Sequence, residues 1–215
     1  MVNKHRIAER HIRQEYIVGG IDESGICCYA GPIYAACVIL DPKQRYSKRI
    51  RDCKQLRQID LVRAYIELIN KGAKFGLGKA TVREIDRDGT RLAIQRAMRR
   101  AYQACRPKPT YLLIDYHYIH GVHIPQWAIP NGDQKFLCVS AASIVAKYHR
   151  DRLMEGLHDK YPQYNWYDNK GGFDKGHERR IKKYGLTQHH RRSWCRRIIK
   201  EMKATEVRRW WRSQG

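Results

Sequence analysis

"GGIDESGICCYAGP", residues 19–32, places two acids, Asp22 and Glu23, at the end of a short apolar run and follows them with small residues and two cysteines. Together with the residues before it, the run Tyr16 to Asp22 reads as a buried strand that turns acidic only where it stops. "IYAACVIL", Ile33 to Leu40, reads as a second strand, and Gly31-Pro32 between the two marks a turn or bulge. "TYLLID", Thr110 to Asp115, repeats the first pattern: apolar up to a final aspartate. Ligands gather at the carboxyl ends of strands in open α/β sheets, so Asp22 and Asp115 both stand where chemistry is done. Neighbours on a regular strand point to opposite faces. For Asp22 and Glu23 to serve one site, the strand must end or kink at Asp22, with Gly25 supplying the freedom.

Working outward, "DLVRAYIELINKG" reads as a helix with Leu61, Ala64, Tyr65, Leu68 and Ile69 on one face and Gly72 as its stop. "AKFGLGKA" reads as a third strand weakened by two glycines. A longer helix runs from about Gly89 to Cys105, ended by Pro107 and Pro109. Residues 116–136 read as loop with one short strand, and the next helix is expected to begin near Ser140. Elements alternate first and helices dominate later, which is an α/β pattern. The expected organisation is a basic N-terminal segment at 1–15, a catalytic domain at 16–160 and a basic helical C-terminal region at 161–215 packed on the same domain.

Forty-three Lys and Arg against 21 Asp and Glu give a net charge of +22, which favours a polyanionic partner, nucleic acid first. No stretch reaches the length of a membrane span, and the start lacks the apolar centre of a secretory signal, so the reading is a soluble, cytoplasmic protein. Seven cysteines, none in a C-x-x-C pair, read as reduced and mostly buried. Cys27, Cys28, Cys37 and Cys53 are read as small packing residues rather than a thiolate metal site.

Any one of these acids alone is a turn or cap residue. Asp22, Glu23 and Asp115, with Asp133 in the loop "PNGDQKF", form a set that repels itself unless cations sit among its members. In the absence of thiolate or histidine spacing, the candidates are Mg²⁺ or Mn²⁺. Two such ions about 4 Å apart activate a water and stabilise the leaving oxygen of a phosphodiester.

From about Gly19 to Trp194 the chain resembles ribonuclease HII, the type 2 ribonuclease H. The most specific segment is "VSAASIVAKYHRDRLM", Val139 to Met154. "AGPIYAACVIL", "RDCKQLR" at 51–57, "EID" at 84–86 and "HHRRSW" at 189–194 also fit. The resemblance implies an RNase H-like mixed β-sheet flanked by helices, with a helical C-terminal extension. It also implies that Asp22, Glu23, Asp115 and Asp133 hold two divalent ions and hydrolyse the RNA strand of an RNA/DNA hybrid or a ribonucleotide-containing duplex. The implied nucleic-acid contacts are Gly25, Ile26, Cys27, Lys54 and Lys170; Ser143, Lys147 and Arg150, which approach one face of the Ser140 helix, are further candidates for backbone phosphate.

The sequence departs from the family at two places. Gly25, Ile26 and Cys27 stand where the family has Gly-Arg-Gly against the ribonucleotide 2′-hydroxyl, so an arginine is lost and a Cβ is gained. "NKGG", Asn169 to Gly172, stands for His-Lys-Gly-Tyr, which puts Gly172 at the tyrosine that reads the RNA–DNA junction, with Phe173 beside it. The expectation is intact metal chemistry with altered substrate choice. The alternative is a nucleic-acid-binding or assembly component of a larger nucleoprotein complex. The tail residues Trp210 and Trp211 are a candidate contact for a protein partner.

Overall fold

The computed structural model of the chain describes residues 4–51 and 56–202. Its strands are β1 Val18–Ser24, β2 Ile33–Ile39, β3 Lys74–Ala80, β4 Tyr111–Asp115 and β5 Gln126–Ile129. The helices before β4 are α1 Lys4–Glu15, α2 Lys48–Arg51, α3 Gln58–Asn70, α4 Val82–Asp88 and α5 Thr90–Ala104. After β5 come α6 Gly132–Lys135, α7 Leu137–Lys160, a 3₁₀ turn Pro162–Tyr164, α8 Trp166–Asn169, α9 Lys175–Tyr184 and α10 Arg196–Glu201. None of the described helices is long and apolar enough to cross a membrane. The chain divides into two compact units. The first holds the chain up to Ser24, Tyr34–Lys79 and Ile94–His149; the second holds Gly25–Ile33, Ala80–Ala93 and the chain from Arg150 on.

In the first unit the strands form one five-stranded sheet in the order β3-β2-β1-β4-β5. β1 runs antiparallel to β2 and parallel to β4, and β4 runs parallel to β5, so the sheet is mixed as expected. β1 is central, and its residues Val18 to Asp22 are all buried, which is why they read as a nearly unbroken apolar run. Gly20 carries no side chain for a packing reason: a Cβ there would run into the carbonyl of Cys138 at the start of α7. The helix therefore lies directly on the sheet and buries Cys138, Val139, Ala141, Ala142, Val145 and Ala146 in the core. The glycines of β3 have the same cause, since a Cβ on Gly76 or Gly78 would strike the backbone of α5. They weakened the strand pattern because they serve helix packing.

The start of the chain, read as a polar segment, is helix α1. Glu9 on it is buried, and its carboxylate accepts the backbone N–H of Leu137 at 2.6 Å and of Cys138 at 3.1 Å. An acid from one helix thus closes the amino end of another, where free N–H groups and the helix dipole both favour negative charge. Arg13 secures Glu9 at 2.6 Å and also donates to the Leu40 carbonyl. With this cap, α7 begins at Leu137, earlier than the expected Ser140. Glu9→Ala removes the acceptor for both amides, with an expected loss of about 2 kcal/mol of stability. The readout is the urea unfolding midpoint, and an unchanged midpoint contradicts the capping role.

Residues 82–88, which carried no helix in the sequence reading, form α4. Thr81 caps it through a full capping box with Glu84, and Gly89 at φ 81° separates it from α5.

The second unit has its own small cores, one of Ala30, Met154, Tyr164 and Trp166 and another of Ile181, Leu186, Cys195 and Ile198. Between them lies a buried histidine pair whose tautomers follow from its partners. His190 accepts the Thr187 N–H on Nδ1 at 3.0 Å, so its proton is on Nε2. His177 faces the Gly172 carbonyl with Nδ1, so that nitrogen carries the proton, and its Nε2 accepts from Trp166 at 3.1 Å and from His190 at 3.2 Å. Both rings are thereby held neutral. Burial pushes both imidazoles below their ordinary value, His190 the further.

Candidate active site

The strand register brings the acids together. Ile21 of β1 pairs with Ile114 of β4 in parallel, so the next residues, Asp22 and Asp115, lie level on adjacent strands. β1 does not end at Asp22. It stays paired with β2 as far as Ser24 opposite Tyr34, whereas its pairing with β4 is recorded only to Ile21. One ladder continues while the other stops, and the Glu23 N–H bonds the Asp22 carboxylate at 2.8 Å. The expected kink at Asp22 is thus replaced by one-sided release of the strand.

Asp115 accepts the Gly132 N–H at 2.7 Å, which fixes the first turn of α6, the helix that carries Asp133. Gly132 eases this approach, because a Cβ would press against the Ile114 carbonyl at 3.2 Å and the Asp115 Cα at 3.3 Å. The Ser143 side chain of α7 faces the Asp22 carboxyl and favours its charged form, against the effect of burial. Asp22 and Asp133 are buried; Glu23 and Asp115 are partly so.

Burial, and then the charges of Glu23 and Asp115, hold the Asp22 carboxyl well above the usual carboxylate range. Glu23 is pushed up to about 7 by burial and by Asp115, with Asp133 adding to it. Its Oε2 is buried and has no hydrogen-bond partner among the described residues. Also among the described residues, no three His, Cys, Asp or Glu side chains stand close enough to form a finished metal cage. The site is therefore an open set of repelling carboxylates. An oxygen-only, strongly anionic donor set of this kind fits a hard divalent cation.

The consequence for stability has a definite sign. Between the ordinary value of 4.5 and about 7, folded Glu23 keeps a proton that the unfolded chain has released. Without a cation, stability from this group falls as pH rises through that window. Mg²⁺ or Mn²⁺ is expected to raise the unfolding midpoint, relative to EDTA, more at about pH 8 than at about pH 5. Equal shifts at the two pH values contradict the arrangement.

The residues expected to meet nucleic acid fare differently. Ser143 is turned to Asp22. Lys147 is partly buried on α7. Arg150 does not reach the surface: it is 3% exposed, and its guanidinium donates to the carbonyls of Ala30 and Pro32 at 3.2 and 3.3 Å. Its direct phosphate contact is replaced by support of the loop after β1. Lys170 is paired with Glu155 at 2.8 Å and lies over the Tyr167 ring, so an incoming phosphate competes with both. Lys54 and Cys53, and Trp210 with Trp211, lie outside the described residues.

Gly25 has φ 93°, and a Cβ there would run into the Arg150 side chain. Ile26 is partly exposed and Cys27 exposed, and Cys27 is not among the residues of positive φ, so its Cβ is accommodated without strain. Phe173, 43% exposed, packs against Tyr29 and Trp194 with ring centres 4.4 and 5.0 Å away.

Arg191 was visible only as part of a basic run. It is fully buried and donates to the carbonyls of Gly25 at 2.5 Å, Ile26 at 2.6 Å and Gly31 at 2.8 Å. Burial lowers its pKa to about 10. Next to it, Asp86 accepts the N–H groups of Arg192 and Ser193 and the Ser193 hydroxyl. The segments "EID" and "HHRRSW" are thus two halves of one connection.

The ribonuclease HII family model matches residues 19–197. The ribonuclease HII of Caldanaerobacter subterraneus subsp. tengcongensis is 38% identical over 202 residues, which cover 93% of this chain and 83% of the relative. Ribonuclease H2 from Pyrococcus horikoshii shares the fold with a TM-score of 0.70 at 24% identity, over 87% of this chain and 99% of that one. Bst-RNase HIII, solved in complex with Mn²⁺, shares it with a TM-score of 0.65 at 18% identity, over 86% and 70% of the two chains. By family match and by close relatives, the chain belongs to the ribonuclease HII family.

Proposed function

We propose that this protein is a divalent-metal-dependent endonuclease of the cytoplasm that hydrolyses the RNA strand of RNA/DNA hybrids. The observation that carries the reading is the mutual repulsion of Asp22 and Glu23 on β1, Asp115 at the end of β4 and Asp133 on α6, in a chain of net charge +22. These acids would hold Mg²⁺ or Mn²⁺, and the Mn²⁺ in the structurally similar ribonuclease HIII supports that choice. Bound ions supply an activated water and neutralise the charge of the departing 3′ oxygen. The chain's own part is placement: the Gly132 amide orients Asp115, Ser143 favours the charged form of Asp22, and the basic surface draws the duplex in.

Substrate choice is proposed to differ from a ribonucleotide-junction cutter. Ile26 brings no cation to the loop, and the two arginines below it are committed to backbone carbonyls. The test compares a full hybrid, DNA with one embedded ribonucleotide and duplex RNA, each with Mg²⁺. Cleavage of the hybrid is expected, with weak cutting at the single ribonucleotide that Ile26→Arg improves. No cleavage of any substrate rejects the enzyme reading; efficient cutting at the single ribonucleotide rejects only the altered specificity.

A further inference from the structure

Directly after Asp115 the chain places three exposed residues in a row, Tyr116, His117 and Tyr118. Tyr116 has φ 68°, a left-handed conformation that a bulky side chain avoids. Such strain persists only where its surroundings enforce it. Here they do: the Tyr116 N–H bonds the Ile129 carbonyl at 3.2 Å and the His117 N–H bonds the Asp115 carbonyl at 2.9 Å. Gln95 holds the Tyr118 carbonyl and the His120 N–H, and Gln126 holds both backbone groups of Ile119 and the Val122 carbonyl. Ile119 is buried beneath, yet Tyr116 is 62% exposed and Tyr118 55%. The His117 ring stands perpendicular to that of Tyr116, with centres 4.4 Å apart, and buttresses it. A rigid, strained scaffold thus presents two aromatic rings to solvent beside a carboxylate of the site.

We propose that Tyr116 and Tyr118 form an aromatic contact for the nucleic-acid strand that passes the carboxylates, taking the flat face of a sugar or of an unpaired base. The inference rests on the nuclease reading, because that reading brings a strand past Asp115. Sugars line the shallow minor groove of an A-form duplex, and bases offer their faces when unpaired; both suit a tyrosine ring. The scaffold is already ordered, so the contact forms without the cost of arranging a loop.

The test measures fluorescence anisotropy in EDTA with a labelled RNA/DNA hybrid, single-stranded RNA and single-stranded DNA, alongside thermal unfolding. Tyr116→Gly is expected to weaken binding about tenfold, and Tyr116→Phe to stay within about twofold of wild type. Tyr116→Gly is also expected to keep or raise the unfolding midpoint, because glycine accepts the φ without strain. A purely structural tyrosine shows the second effect without the first. Tyr118→Ala gives an independent loss of binding. Weakening on the hybrid assigns the sugar face, and weakening on single strands alone assigns the base. Wild type that binds the hybrid, with Tyr116→Gly and Tyr118→Ala binding all three probes as wild type does, overturns the aromatic contact alone. Wild type that binds none of the probes overturns the nuclease reading as well.

Discussion

Asp115→Asn is expected to lower hybrid cleavage by on the order of a hundred- to a thousandfold while leaving the protein folded. The substitution keeps the size of the side chain and an oxygen able to accept the Gly132 N–H, so α6 and Asp133 stay in place. It removes a negative charge that raises the carboxyls of both Asp22 and Glu23. Two further changes should accompany the loss. The metal-free protein should unfold at a higher temperature, because a repulsion has gone. The stabilisation on adding Mg²⁺ should shrink, because one donor has gone. Cleavage within about tenfold of wild type would remove Asp115 from the reacting centre. Opposite signs for activity and metal-free stability separate loss of the site from loss of the fold.

The second large effect falls on stability. Arg191→Leu is expected to cost about 3–4 kcal/mol, since it takes the donor from the buried Gly31 carbonyl and from the part-buried carbonyls of Gly25 and Ile26. Arg191→Lys should recover only part of it, because an ammonium cannot reproduce the planar fork that meets those acceptors in different directions. Urea midpoints of the two variants give the comparison, and a loss below about 1 kcal/mol for Arg191→Leu would show that the loop finds other donors.

What could be read from the sequence follows physical range. β1, β2 and β4 are buried apolar runs, and burial leaves a local trace, so their placement needed no partner. Asp22 and Asp115 were legible for the same reason: a charge at the end of such a run has few structural uses. α1 was hidden because its most important residue is an acid. Glu9 resembles a solvent residue until the amides of Leu137 and Cys138 are known to meet it, 128 and 129 positions away. Arg150 misled in the same manner, and Arg191 drew no role of its own. Composition assigns an arginine to the surface and to phosphate, yet both are enclosed by main-chain oxygens, and no local pattern records that. The Asp86 connection could have been suspected, because "EID" and "HHRRSW" both matched the family while lying far from the acids.

Tyr29 and Ala30 anchor the loop after β1 by their side chains, and the positions on either side of them are held through the main chain. Arg191 and Arg150 hold the carbonyls of Gly25, Ile26, Ala30, Gly31 and Pro32. Every amino acid brings a carbonyl, so this fastening does not depend on which side chains occupy positions 26 and 27. Mutational drift at those positions is nearly free of any folding cost, while the Gly25 conformation and the two arginines are not open to it. The side chains that can vary and the groups that hold the fold are therefore different parts of the same eight-position stretch, so positions 26 and 27 can change while the fastening stays.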